Sequence, residues 1–571
     1  MRWMTQTVGP LLAVMALIAC GGGQNRDAGS GPTWTTLHDA IPPTATYAMV
    51  SSWDSETAEA QDARLRGALN AFVQLTAVAR FWMQQNVTAE SGLTNFAMPD
   101  PFRAARERLG VDLNAPDASA SLGIALEGEF AIFSTAIDPV LILPMSDPSA
   151  MRQAMRHMAD SPGTNTSSMR IARMPMTRYD FGGTSSIDVG VFDNFAVIRF
   201  NTGLLNAETT DANLANALRG FAIGARLIDT PGPASVLARS PEGTRLERFS
   251  FARTETLDIL TLAVSANAAR TYLSPEHEEM CAISGDRFLA TIPWVAEAAF
   301  SDPSMEGTHH QLSVVHFSHG GSDRVRPLIT SGIDDASMYT DEAALFFSGG
   351  ANLRGLLDAI QAPPDAHTCP NIAAIPGAMA RLREENRRLI NYNLRYFNGT
   401  ITGALLDFRM LGFIPSATGT VMIGTNDPPG LNDQVQRRLR QMAGRGAVNP
   451  TASMPTIVYN VLGQEVTIVT ATDRVVIAAG NVGTSRLHHL SNAPINQEGL
   501  PFLRVDWLGE AAQPILDRLI EYDADTQAFT DGYGTFMIDA LNYLKRVVHV
   551  NINGQFDGQE IVVRWHAHVD P

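Results

Sequence analysis

The chain has 571 residues, 42 basic and 59 acidic, for a formal charge of −17. Its 45% hydrophobic and 18% charged residues make a globular balance, and the acidity excludes a nucleic-acid backbone as partner. Lys545 is the only lysine, which rules out a Walker-type phosphate loop, whose lysine must follow a glycine.

Residues 1–19 have the build of a secretory signal peptide: Arg2, then an apolar run from Val8 to Ala19, too short to span a bilayer. The run closes on Leu17-Ile18-Ala19-Cys20, and these residues resemble the bacterial lipobox. That resemblance implies cleavage before Cys20 and lipidation of its thiol with diacylglycerol, the route to the membrane. Residues 20–32 then form a Gly/Ser/Asn-rich tether. Gly21 stands where an aspartate would signal inner-membrane retention, so the pattern implies delivery to the outer membrane, with the body exported. The other two cysteines, Cys281 and Cys369, either bridge or remain two unrelated thiols.

An internal similarity organises the rest of the chain. Shifted by 280 positions, LILPMSDP (141–148) lies on VMIGTNDP (421–428), ARMPMTRYD (172–180) on ASMPTIVYN (452–460), and VGVFDNFAVI (189–198) on VTATDRVVIA (469–478). In each copy an apolar strand meets Asp-Pro, then a helical run, which predicts Asp147 and Asp427 at helix N-caps with proline in the first turn. Tyr179 and Tyr459 open a second strand, and Asp193 and Asp473 sit in turns. Further pairs extend the match: TYAMVSSWDS with AALFFSGGAN, 257–273 with 502–519, and 311–319 with 559–567. The expected organisation is a tandem duplication, 33–333 and 334–571, of an α+β unit built from an antiparallel sheet and helices. Helices are expected around 56–83 and 377–396, the latter with a solvated charged face. Half-buried antiparallel strands are expected at 128–134, 309–319 and 559–569.

The stretches IPPTATYAMVSSWD, DPFRAARERLGVDL, GEFAIFSTAIDPVLILPMSDPSAM and DNFAVIRF resemble an uncharacterised family of bacterial envelope proteins, a domain of unknown function. The resemblance implies an exported, two-part α+β protein and transfers no catalytic residue.

The search for chemistry returns little. His310 and His316 share a strand face but stand about 20 Å apart at 3.3 Å per residue, so they do not share a metal. Arg564, His566 and His568 read as the polar face of a terminal strand. His367 and Cys369 lie in a proline-marked loop, and G-x-S-x-G and H-E-x-x-H motifs are missing from the sequence. Trp53 and Trp507 follow apolar strands just before expected helices; they are corner packing or, alternatively, a ligand-facing pair. The expectation is therefore a lipid-anchored envelope protein that binds or scaffolds an unknown protein or small molecule, without metal or cofactor. The alternative is an envelope hydrolase whose site is assembled from distant residues. Ligands favour interfaces between units, so the junction of the copies is the place to look.

Overall fold

The computed structural model describes residues 41–53, 107–201, 226–253, 293–329, 343–350 and 396–570, with short gaps inside these spans. Cys20 and the segments before it, Cys281, Cys369, the helix expected around 56–83 and nearly all of that expected around 377–396 lie outside the described residues, as does 257–273.

The fold is α+β and strand-rich: one large antiparallel sheet with a few helices. Its first ten described strands are β1 (Tyr47–Trp53), β2 (Gly128–Ser134), β3 (Val140–Pro144), β4 (Asn165–Ile171), β5 (Met174–Asp180), β6 (Ser186–Val191), β7 (Phe195–Asn201), β8 (Arg245–Arg253), β9 (Trp294–Ser301) and β10 (Thr308–His316). Among them lie α1 (Ala118–Ser121), α2 (Pro148–Asp160) and α3 (Pro231–Leu237), with α4 (His319–Val325) after β10. The second ten are β11 (Leu345–Gly350), β12 (Phe397–Leu411), β13 (Ile414–Thr425), β14 (Ala447–Asn449), β15 (Thr456–Val461), β16 (Gln464–Thr470), β17 (Arg474–Ala479), β18 (Leu503–Leu508), β19 (Val547–Asp557) and β20 (Glu560–Val569). Their helices are α5 (Pro428–Ala443), α6 (Thr484–Asn492), α7 (Gly509–Thr526) and α8 (Thr535–Arg546). The strand expected at 309–319 ends at His316, because Ser318 caps α4 through its side chain on Gly321 N.

From β1 the ladder runs through β2, β3, β7, β6, β5 and β4 on one side, and through β8, β9 and β10 on the other. From β11 it runs through β12, β13, β17, β16, β15 and β14, and through β18, β19 and β20. The two orders are the same. β10 then pairs with β20, from Thr308↔His568 to His316↔Glu560, and joins everything into one sheet.

Local chemistry explains the matching corners. Asp147 accepts from Ser149 N at 2.8 Å and Asp427 from Gly430 N at 3.0 Å, with proline in both first turns. Below these caps, Met145 N donates to Asn194 O at 2.9 Å, and Thr425 N to Asp473 O at 2.8 Å. The β6–β7 and β16–β17 turns are closed alike by Phe192 N to Phe195 O and Ala471 N to Arg474 O. Asn194 therefore stands opposite Asp473, and Asp193 opposite Thr472. The ungapped 280-residue match holds through Tyr179 and Tyr459, both buried, and slips by one residue in the turn before β6. The place of β18 in the ladder is that of β8, so the strand opening 502–519 matches residues upstream of 257–273.

In the first half one face of the sheet carries a continuous apolar cluster that includes Val50, Phe133, Ile142, Phe249, Phe251, Phe300 and Leu312; Val236 of α3 packs into it. Val562 of β20 joins this cluster from the second half. Burying one such side chain contributes about 1.5–3 kcal/mol. The other face packs Leu141, Leu143 and Ile198 against Met151, Ala154, Met155 and Met158 of α2, residues spaced along one helical stripe.

Candidate functional site

Direct cross-strand partners share a sheet face, so whole rows can be followed across the ladder. One row of the first half reads Val197, Ile142, Ala131, Val50, Phe249, Ala298, Leu312. The row at the same place in the second half reads Val476, Met422, Thr402, Ser348, Arg504, Asn553, Arg564. The next row compares Phe133, Ala48, Phe251, Ala296, Val314 with Ala404, Phe346, Asp506, Asn551, His566. Where the first half has its core, the second presents a polar stripe across β18, β19 and β20.

The stripe is internally wired. Arg504 Nε donates to Asp506 Oδ2 at 2.7 Å, and Asn551 Nδ2 donates to Asp506 Oδ1. Ser348 and Thr402, both buried, exchange a hydroxyl hydrogen bond at 3.0 Å. Two oxygens on this face, Asn553 Oδ1 and Thr400 Oγ1, are buried with no hydrogen-bond partner among the described residues. An unpaired buried polar atom costs about 1–3 kcal/mol, so each is a natural acceptor for a ligand donor.

The stripe runs into the seam between the halves. There His310 stacks on His566 at 4.7 Å between ring centroids, and His549 lies 5.8 Å from His566. Burial, and then the neighbouring His310, His549 and His568, hold the His566 imidazole below its usual pKa. Thr308 Oγ1 and His568 Nδ1 are 2.9 Å apart. At the other end of the seam Glu560 receives Arg239 at 2.5 Å and His316 at 3.1 Å, with His316 stacked on Trp294. Reading β10 alone finds His310 and His316 far apart. The partner of each is on β20, and spacing along one strand carries no sign of it.

The described residues contain no group of three or more His, Cys, Asp or Glu arranged to hold a metal. Trp507 faces away from the stripe: its Nε1 donates to Val547 O at 3.3 Å, and its ring packs with Ala344, Ala512 and Ile515 beneath α7. Trp53 ends β1, a strand that pairs with β2 and β8 and not with β18; its side chain lies outside the described residues. The two tryptophans occupy different rungs of the two ladders. No described helix is long and apolar enough to cross a membrane. No family model matches this chain, and no curated protein or solved structure is significantly similar to it.

Proposed function

We propose that this is an exported lipoprotein, built by tandem duplication of 33–333 and 334–571, that binds its ligand on the polar stripe beside the seam. One observation carries the binding reading: row for row, residues that form a core in one half are replaced by Arg504, Asp506, Asn551, Asn553 and His566 in the other. Random drift into a core destabilises it; a wired polar face with two acceptors that have no described partner suits a ligand surface. The shared strand order, the paired Asp caps and the buried tyrosines support the duplication. Leu17-Ile18-Ala19-Cys20 and the tether after it support export and lipidation, and Gly21 supports the outer membrane. A protein or small molecule rich in hydrogen-bonding groups is the partner such a stripe fits.

Two measurements test the reading. A radiolabelled fatty acid fed to a Gram-negative host should label the wild-type chain and not Cys20→Ala; label on the variant, or none on either, defeats the lipid anchor. For the stripe, native mass spectrometry of protein extracted from envelopes should show a bound species that Arg504→Leu with Asn553→Ala loses. Equal recovery from both proteins removes the stripe from the function. Reproducible turnover of an ester, peptide, glycoside or phosphoester, abolished by one substitution on the stripe, would make the protein an enzyme instead.

A further inference from the structure

A cationic groove lies on the opposite face of the first half. It measures about 790 Å³ and runs between α2 and strands β4 to β6. Arg152 and Arg156 stand one turn apart on α2, and Arg170 approaches from β4. All three are exposed, and no described carboxylate forms an ion pair with any of them. The acidic groups of the helix are Asp160, one turn after Arg156, and Asp147, which is turned into its cap on Ser149 and feels the charge of Arg152; neither forms an ion pair with these arginines. Arg152 instead reaches Val191 O at 3.4 Å, which lays its guanidinium along the groove. Beneath the cations the lining is apolar: Met155 from the helix, Pro175, Val189 and Val191 from the sheet.

The second half shows that the fold does not require those arginines. Counting from the two capping aspartates, Arg152 and Arg156 correspond to Asn432 and Gln436. Gln436 is buried and closes the space: Tyr459 Oη donates to it at 3.2 Å, Arg440 at 2.6 Å, and its own Nε2 donates to Asn432 at 3.0 Å. In the first half this network is gone, the helix side chain at the Gln436 position points outward as Arg156, and a groove opens. Three clustered cations with no described ion pair, in a chain of charge −17, favour an anion at this place.

We propose that this groove binds a single-chain carboxylate, a fatty acid anion, with its head on Arg152, Arg156 and Arg170 and its chain over Met155, Val189 and Val191. Guanidinium groups match a carboxylate through paired N–H donors. The apolar floor takes the chain, and methionine adapts to chains of different shape. The volume lies within the range of about 300–1,000 Å³ typical of small-ligand sites.

The experiment uses the full chain in phosphatidylcholine nanodiscs and palmitate labelled with ¹³C at its carboxyl, with empty nanodiscs as the reference. A protein-dependent carboxyl resonance should appear and saturate. In R152N/R156Q, which installs the residues of the second half, affinity should fall about tenfold or more. Arg437→Gln, which removes a cation elsewhere, should leave it unchanged. Hexadecanol should compete poorly for lack of charge, and acetate for lack of a chain. The proposal is overturned by any of four results: no protein-dependent signal, undiminished binding in R152N/R156Q, hexadecanol competing as well as palmitate, or acetate doing so. An unaltered circular dichroism spectrum and melting temperature in R152N/R156Q separate loss of the site from loss of the fold.

Discussion

The first half presents Phe249, Phe251, Ala296, Ala298, Leu312 and Val314 where the second presents Arg504, Asp506, Asn551, Asn553, Arg564 and His566, yet both keep the same ladder. Backbone hydrogen bonds set strand order and register and do not depend on which side chain stands on the pleat. A half can therefore exchange a core for a polar surface if other packing holds it. In the second half part of that packing stays in the same two rows, farther along the ladder, where Phe346, Ala404, Met422 and Val476 meet Leu487 and Leu490 of α6; the rest is on the opposite face, with Tyr459, Ile468 and Val475 against Leu431 of α5. The helix corners reverse the contrast, being open and cationic in the first half and closed by Gln436 and Tyr459 in the second. Each half has thus kept closed what the other opened.

The sharpest way to break this comparison is at a third difference. Arg178, Asp188 and Arg199 form a row in which Asp188 and Arg199 are fully buried and Arg178 Nε donates to Asp188 at 2.7 Å; the second half has Val458, Thr467 and Ala478 there. Asp188→Ala should lower stability by about 3–5 kcal/mol in urea unfolding, because the buried carboxylate shared by two guanidiniums is removed. The triple exchange to Val, Thr and Ala should cost less than that single change. A triple variant less stable than Asp188→Ala would mean that the charged row is required for packing.

A smaller effect tests the core against the stripe. Ala298→Asn places an unpaired amide in a fully buried site and should cost about 2–4 kcal/mol. Asn553→Ala, its mirror, should change stability by less than about 1 kcal/mol, since its Oδ1 has no described partner to lose. Equal costs would make the stripe structural. Smaller again are the caps: Asp427→Ala should cost about 1 kcal/mol by the same assay, and Asp147→Ala should act in the same direction.

The smallest effect is in pH. The folded His566 pKa lies below its ordinary value of 6.5, so the unfolded chain takes up the proton first. Stability should fall as pH drops from 6.5 through the depressed value and level off beneath it. A melting-temperature series from pH 7.5 to 4.5 should show a shallower acid slope in His566→Gln; identical slopes would place the titration elsewhere.

Parts of this architecture were legible in the sequence. Alternation located β2, β10 and β20, and the repeated Asp-Pro corners located α2 and α5, because caps and pleats are local signals. The 280-residue offset followed the chain through Tyr459 and missed the slip before β6, since one residue lost in a turn leaves no trace in composition. The stripe and the histidine seam were not legible. Arg504, Asn553 and Arg564 sit on three strands, and His310 meets His566 from the other half, so their adjacency exists only once the ladder is formed. The Arg152 groove was hidden differently: an arginine on a helix looks solvated until the matching glutamine is seen buried.

A sheet that does not close on itself has two ends, and the described ladder finishes on β4 and β14. An unpaired strand edge invites a neighbouring molecule to add itself, copy upon copy, into a fibre. The described edge on β4 is blunted by polar side chains. Along β4 the exposed Asn165, Thr166, Ser167 and Ser168 offer water a hydrated rim, and at β14 three residues, Ala447–Asn449, are described. The seam turns two would-be terminal strands, β10 and β20, into interior ones, so among the described strands joining the halves leaves two edges to guard where separate halves would leave four.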